Sequence, residues 1–308
     1  MERQILVPLD GSPAAEQVLP HALAFASANA SAIRLVQAVP PSADGRDGAN
    51  DAATAAQRYL ERLALQLSLA GVPAQATVLV GAPAEEILRL IGAEAGIEQI
   101  AIASHGRGRM SRMLFGSVAQ QVLADARIPL LMVRMNPTHG VASSFIKQQP
   151  IARPPSYKSI LVPLDGSPQA DAAVAHAERI ARATGAAVVL ASVTEPAPQQ
   201  QRALAGGMDA AQRPALAPDE EAARHLEAVA DRLQRSGVRA RTHLAAGDPV
   251  RILSAAAMLE HADLLVMTTH AYVGMKQLWL GSVALDLSAA TLLPILMIRI
   301  AAAQELAS

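Results

Sequence analysis

The chain has 308 residues, a formal net charge of −1 and no cysteine. That length accommodates two domains with cores of their own, and the lack of cysteine excludes disulfides, thiolate zinc sites, iron–sulfur clusters and cysteine nucleophiles. The balanced charge argues against a dedicated nucleic-acid binder, and no apolar run reaches the roughly 18 residues of a membrane span. The amino terminus leads directly into an apolar strand without the features of a signal peptide, so we expect a cytoplasmic protein.

Apolar runs and helix-like segments alternate through the first half of the chain. We predict strands near residues 4–9, 32–39, 74–80, 98–103 and 130–135. The segments between them predict helices near residues 13–28, 50–70, 83–95 and 117–126. The strands are apolar throughout rather than alternating, which is typical of a parallel sheet covered by helices on both faces.

The second half of the chain repeats the first. The nine residues from Ile5 to Pro13 return unchanged as Ile160 to Pro168, at an offset of 155 residues. A repeat of this length indicates a duplicated domain. Strands in the second half are predicted near residues 159–164, 187–193, 239–245, 263–268 and 295–300. The predicted class is α/β, with two tandem doubly wound, Rossmann-like domains that each have a five-stranded parallel sheet at their core.

Proline-rich and loop-like segments set the predicted domain boundaries. We assign the first domain to residues 1–136, a linker to 137–156, the second domain to 157–301 and a tail to 302–308. The second half is longer than the first, and most of its extra residues fall in a segment at 195–218 that is rich in Pro, Gln, Gly and Ala. That composition predicts a loop.

Candidate binding residues are found where strands end, because doubly wound sheets bind ligands beyond the carboxyl ends of their strands. Asp10 closes the first strand, and its carboxylate is suited to a ribose hydroxyl, a base or a metal. The neighbouring Ser12 and Pro13 have a simpler structural explanation, as the cap and first residue of a helix.

A glycine-rich loop follows the fourth strand of the first half. Gly106 lies in this loop, and Gly116 and Ser117 begin a helix shortly after it. Backbone amides of such a loop and the positive end of a helix dipole both attract phosphate. Three arginines add positive charge, namely Arg107, Arg109 and Arg112. The spacing therefore predicts an anion site.

These motifs resemble those of the universal stress protein family. The similarity rests on the segments 7–12, 104–106 and 114–119, and it extends through both halves. ATP-binding members carry Gly-x-x-Gly, nine residues, and then Gly-Ser or Gly-Thr, so the resemblance implies a site for ATP, with or without Mg²⁺. The positions that match those nucleotide contacts are Pro8, Asp10, Ala38, Ile102, Ala103, Gly106, Gly116, Ser117 and Val118.

Both halves depart from that family pattern. Ala103 replaces the first glycine in the first half, and the second half has Thr268 and Ala271 at the two glycine positions. The Cβ of Ala271 would lie where the backbone approaches phosphate. Nucleotide-contact positions that still match in the second half are Asp165, Val193, Gly281 and Ser282. We predict a functional first site and a weakened or lost second site.

No complete catalytic set accompanies the motifs. His105 and Ser117 lack a partner base or acid at a recognisable spacing, so we interpret both as structural or ligand-positioning residues. Two histidines in helices, His21 and His176, are interpreted as packing or partly exposed residues, and His225 as part of a solvated face. The leading hypothesis is a nucleotide-dependent sensor or regulator of a stress response without fast turnover. The alternatives are a nucleotide-independent interaction module and a slow ATPase or adenylyl-transfer enzyme.

The last predicted strand of each half is strongly apolar and would lie at a sheet edge, which proteins usually cover by pairing. Members of the resembled family dimerise through this strand. We therefore expect an intramolecular pseudo-dimer through residues 130–135 and 295–300, with further self-association into a homodimer. The other expected partners are an adenine nucleotide and an unknown protein, without nucleic acid or membrane.

Overall fold

The computed structural model describes residues 2–41, 48–104, 116–135, 151, 153–194, 220–270 and 282–300. The chain divides into two compact units, which we call unit 1 (Met1–Ser156, His270–Trp279 and Pro294–Ser308) and unit 2 (Tyr157–Thr269 and Leu280–Leu293). Several predicted features lie outside the described residues. They are the glycine-rich loop with Gly106 and Arg107, most of the linker, the loop at 195–218, the segment with Ala271 and Gly281, and the tail.

The first repeat alternates strands and helices as predicted. Its elements are β1 (Gln4–Pro8), a 3₁₀ turn (Ala15–Val18), α1 (Leu19–Asn29), β2 (Ala32–Val39), α2 (Gly48–Leu69), β3 (Ala74–Val80), α3 (Pro83–Ala93), β4 (Ile97–Ser104), α4 (Ser117–Asp125) and β5 (Leu130–Arg134). The elements of the second repeat are β6 (Ser159–Pro163), α5 (Asp171–Thr184), β7 (Ala187–Thr194), α6 (Glu220–Arg235), β8 (Ala240–Ala246), α7 (Pro249–Leu259), β9 (Leu264–His270), α8 (Ser282–Ala290) and β10 (Ile295–Ile300).

Each unit is built on a parallel sheet. In unit 1 the order is β3-β2-β1-β4-β5 with every pair parallel, and β10 pairs antiparallel with β5. In unit 2 the order is β9-β6-β7-β8, again parallel. Ile5, Leu6 and Val7 of β1 are at most 1% exposed. Burial on both faces explains why a central strand such as β1 is an apolar run, and the parallel sheets with their helices confirm the predicted α/β class.

The first helix starts later than predicted. The predicted helix at 13–28 is a 3₁₀ turn over Ala15–Val18 followed by α1 from Leu19. Pro20 is the physical reason, because its ring would clash with the carbonyl four residues earlier in a continuous α-helix. The second repeat has Ala175 at the corresponding position, and there α5 runs unbroken from Asp171.

The predicted solvated position of His225 is wrong. The side chain of His225, on α6, is only 30% exposed, and its Nε2 lies 3.1 Å from Oδ1 of Asp171 on α5. The contact joins α5 and α6 of the second repeat. Its charged neighbours along α6 misled the sequence interpretation, because the helix turns this one position towards α5.

His21 and His176 occupy equivalent positions in α1 and α5, and both should make stability depend on pH. The pKa of each is lowered to about 4, by burial for His21 and by burial together with the nearby Arg179 guanidinium for His176. The unfolded chain, with histidine pKa near 6.5, therefore binds protons that the folded chain does not, so the free energy of unfolding should fall as pH drops from 6.5 to 4. Denaturant unfolding across this range should show a shallower pH slope for His21→Gln; an unchanged slope would contradict this assignment.

Candidate functional site

A cavity of about 220 Å³ opens at the carboxyl ends of three strands of unit 1, namely β1, β2 and β4. Strands β1 and β4 are neighbours at the centre of the sheet. From β1 the chain continues to β2 and β3 on one side, and from β4 it continues to β5 on the other side. The cavity therefore lies where the strand order reverses, which is the point where open α/β sheets bind their ligands.

The cavity gathers most of the residues predicted for the first site. It is lined by Pro8, Asp10, Ala38, Ile102, Ala103, Gly116, Ser117 and Val118. These residues come from three strand ends and from the start of α4, so four separate segments converge on one space. Gly106 and Arg107 lie outside the described residues. Contact of this set with a nucleotide stays a prediction.

The apolar walls of the cavity were not predicted from the sequence. They are formed by Leu9, Ala15, Val36, Pro83, Ile87 and Ala119. In the sequence most of these residues look like ordinary core positions of strands and helices. Pro83 could have been found, because the segment Gly-x-Pro at 81–83 returns at 247–249 in the second repeat.

Asp10 has a structural role that the sequence analysis set aside. Its Oδ1 accepts the backbone N–H of Ser12 at 2.9 Å, and the Ser12 hydroxyl accepts the N–H of Ala15 at 3.1 Å. Gly11 between them has φ +82°, a conformation that favours glycine. Asp10 is nevertheless exposed, and a carboxylate accepts about four hydrogen bonds, so it can also bind a ligand. Among the described lining residues it is the one ionisable side chain.

The start of α4 presents backbone donors beside the cavity. Gly116 is the N-cap of this helix, with φ −63° and ψ 157°, and no side chain caps the helix. The first N–H groups of a helix lack intrahelical partners, and the helix dipole makes this end positive. The Ser117 and Val118 residues of this first turn line the cavity, so an anionic group in the cavity would meet free amides.

The second repeat keeps the strand-end loop and its hydrogen bonds, including the N–H of Ala170 donated to the Ser167 hydroxyl at 3.1 Å. Oδ1 of Asp165 accepts both the backbone N–H of Ser167 at 2.9 Å and its hydroxyl at 2.6 Å. Val193 lies in β7 at the position that corresponds to Ala38, and Ser282 begins α8. Gly281 and Ala271 lie outside the described residues, so the weakened second site stays a prediction.

Comparison with known proteins identifies the family. The sequence profile of the universal stress protein family matches residues 1–134 and 156–299. The chain belongs to the universal stress protein family. A universal stress protein of Thermus aquaticus is 36% identical over 140 residues, which are 44% of this chain and 100% of that protein. One of Mycobacterium tuberculosis is 34% identical over 140 residues, which are 43% of this chain and 45% of that protein.

Solved structures of universal stress proteins share the tandem fold. One from Archaeoglobus fulgidus superimposes with a TM-score of 0.71 at 18% identity, covering 96% of this chain and 98% of that chain. One from Pseudomonas aeruginosa superimposes with a TM-score of 0.64 at 18% identity, covering 97% and 93%. Together with the two profile matches, these structures confirm the predicted tandem Rossmann-like architecture of this universal stress protein.

Two further properties concern only the described part of the chain. Its helices include none with the length and apolar character required to traverse a bilayer. Its His, Asp and Glu side chains form no group of three or more that could hold a metal ion.

Proposed function

We propose that this universal stress protein binds ATP or a related adenine nucleotide in the first-repeat cavity and acts in the cytoplasm as a nucleotide-dependent regulator of a stress response. One observation supports the proposal above all others. The cavity where the strand order of the sheet reverses is lined by eight residues that match nucleotide-contact positions of the family. The proposed domain boundaries, at 136 and 157, place this site in the first domain.

The size and chemistry of the cavity suit the base and ribose of such a nucleotide. Ligand cavities usually measure about 300–1,000 Å³, so a cavity of about 220 Å³ holds a nucleoside rather than a whole triphosphate. Apolar walls such as Val36 and Ile87 suit the faces of a base, and the Asp10 carboxylate suits a hydroxyl or amino group. The phosphates would extend to the amides of α4, with Arg107 as a further proposed contact and any Mg²⁺ held mainly by phosphate oxygens.

We propose binding without fast turnover. Phosphoryl transfer needs a group that positions the attacking water and cations that stabilise the developing charge. Among the described lining residues, Asp10 alone is ionisable, and it already accepts a hydrogen bond from its own loop. Release of phosphate from ATP that survives the double variant Asp10→Ala, Gly106→Val would point to a contaminating enzyme.

Titration calorimetry of the nucleotide-stripped protein with MgATP tests the binding proposal. We expect one site per chain with micromolar affinity, about −8 kcal/mol, abolished by Gly106→Val and retained in Gly281→Val. Two sites would show that the second repeat also binds. No heat at millimolar ATP would overturn the proposal and favour the nucleotide-independent interaction module.

We also infer that the two repeats associate through their last strands as an intramolecular pseudo-dimer. Within unit 1, β5 and β10 pair antiparallel, with Met132 opposite Ile295 and Leu130 opposite Met297. The Arg299 guanidinium reinforces the pairing by donating to the carbonyl of Ala126 at 3.0 Å. This pairing covers apolar strand edges that would otherwise be open to other chains, and any protein partner would then bind elsewhere.

A further inference from the structure

Strand β3 is an open edge of the unit 1 sheet. Among the described residues it pairs with β2 alone, from Ala74 opposite Ile33 to Val80 opposite Val39. The edge of β3 that faces away from β2 therefore carries backbone N–H and C=O groups that pair with no described strand. Strand edges of this kind are templates for pairing with another chain.

The hydrogen bonds between β2 and β3 identify which backbone groups of β3 point outward. The N–H of Ile33 donates to the carbonyl of Pro73, and the N–H of Gly81 donates to the carbonyl of Val39. Backbone groups alternate in direction along a strand, so the odd-numbered residues of β3 face β2. The outward N–H and C=O groups are those of Ala74, Ala76, Val78 and Val80.

The composition of β3 lacks the features that keep an edge unpaired. Its seven residues, Ala-Gln-Ala-Thr-Val-Leu-Val, include no charged side chain. Val80 is 55% exposed, and α2, which packs on β3, leaves Leu65 61% and Leu69 80% exposed. Proteins usually protect open edges with charges, bulges or proline within the strand.

The corresponding edge strand of unit 2 has that protection. Strand β8 pairs with β7 in the same way and lies at the edge of its own sheet. It carries Arg241 and His243, and the Arg241 side chain is 70% exposed beside Glu260. The duplicated strands thus differ in the property that governs edge-to-edge pairing, and the uncharged one is β3.

We propose that β3 is a self-association surface, at which a second copy of this chain adds its own β3 antiparallel about a twofold axis near Thr77. This register places Ala76 of one chain opposite Val78 of the other, and each such pair exchanges two hydrogen bonds through its outward groups. Strand β3 itself carries no charged side chain. Arg34 of β2, whose Nε donates to Oγ1 of Thr77 at 3.2 Å, is paired with the Glu94 carboxylate, so two copies would meet without unpaired like charges at the axis. A twofold pairing of one surface with itself closes at the dimer.

The cysteine-free chain allows a direct test of this register. Thr77 residues would face each other across the axis as a non-hydrogen-bonded pair, with Cα atoms about 4.5 Å apart, within the range that a disulfide spans. Under mild oxidation, Thr77→Cys is expected to form a covalent dimer, whereas the matched variant His243→Cys on β8 stays monomeric on a non-reducing gel. Equal cross-linking of both variants, or none of Thr77→Cys, would overturn the proposal.

Sedimentation velocity over a concentration series tests the same surface without a cross-link. The wild-type chain is expected to dimerise reversibly. Ala76→Pro should weaken the dimer at least about tenfold, because proline removes an outward N–H that pairs with no described strand. Thr242→Pro, the matched change on β8, should leave the dimer intact. A wild-type chain that is monomeric throughout, or a dimer that Thr242→Pro disrupts equally, would exclude β3 pairing.

Discussion

Replacing Ala38 with phenylalanine is expected to weaken ATP binding by about 100-fold, which corresponds to ~2.8 kcal/mol. Ala38 lies in β2 and lines the cavity with only a methyl group. A benzyl group at this position would occupy much of the space of about 220 Å³ that the base and ribose need. Because Ala38 is half-buried and its side chain meets the cavity rather than packed core, the variant is expected to keep its fold. Titration calorimetry with MgATP measures the loss.

The second repeat supplies a matched control for this experiment. Val193 lies at the corresponding position of β7, and Val193→Phe is expected to leave the affinity and the stoichiometry unchanged. A loss of binding in Val193→Phe with full binding in Ala38→Phe would assign the nucleotide to the second repeat. Circular dichroism of both variants distinguishes a filled cavity from a fold that has changed.

The strands were predictable because local composition determines them. The predicted bounds of β2 and β3 coincide with the observed ones, since each is a run of mostly β-branched or apolar residues that ends at turn residues. The start of α1 was not predicted, because the helical pattern continues through Pro20 while the proline ring forbids the hydrogen-bonded geometry before it. Periodicity describes which face is apolar, and it does not distinguish an α-helix from a short 3₁₀ turn.

From residue chemistry alone, the candidate site was predictable only where glycine or a polar side chain marks it. Its predicted apolar members came from the family resemblance instead, namely Pro8, Ala38, Ile102, Ala103 and Val118. Asp10 and Gly116 stand out in the sequence because neither is explained by packing. Ala15 and Ile87 line the same cavity, yet in sequence they resemble the other apolar residues of their helical segments. The spacing between packed helices and strands decides which apolar side chains face a cavity. That spacing produces no recognisable pattern in the local sequence.

Comparison of the two repeats shows where duplication has preserved the site and where it has changed it. The residues in the β1 loop are identical in both copies, from Pro8 to Ser12. The strand-end positions of the first cavity differ in the second repeat: Ala38 corresponds to Val193 and Ala103 to Thr268. Larger side chains at both places would reduce the space for a base, which supports the proposed asymmetry between the repeats.

Truncation of Phe25 is expected to have the largest effect on stability. Phe25 lies in α1, is 1% exposed and ranks among the largest fully buried side chains of the described core. Phe25→Ala removes a whole ring from a packed interior, so the free energy of unfolding of unit 1 should fall by about 3–5 kcal/mol. Denaturant unfolding followed by circular dichroism measures this loss, fitted with separate transitions because chains of several domains need not unfold in one step.

The matched change in the second repeat separates the two transitions. Ile180 occupies the corresponding position of α5 and is also 1% exposed, and Ile180→Ala should lower the stability of unit 2 by about 2–5 kcal/mol. A nucleotide bound only to the folded first repeat raises the stability of that transition by about 2.7 kcal/mol at 100 times its Kd. ATP should therefore raise the stability of the unfolding transition that Phe25→Ala weakens. It should leave the stability of the transition that Ile180→Ala weakens unchanged. The opposite pairing would place the nucleotide in the second repeat, and a loss below about 1 kcal/mol in Phe25→Ala would mean that neighbouring helices collapse into the space of the missing ring.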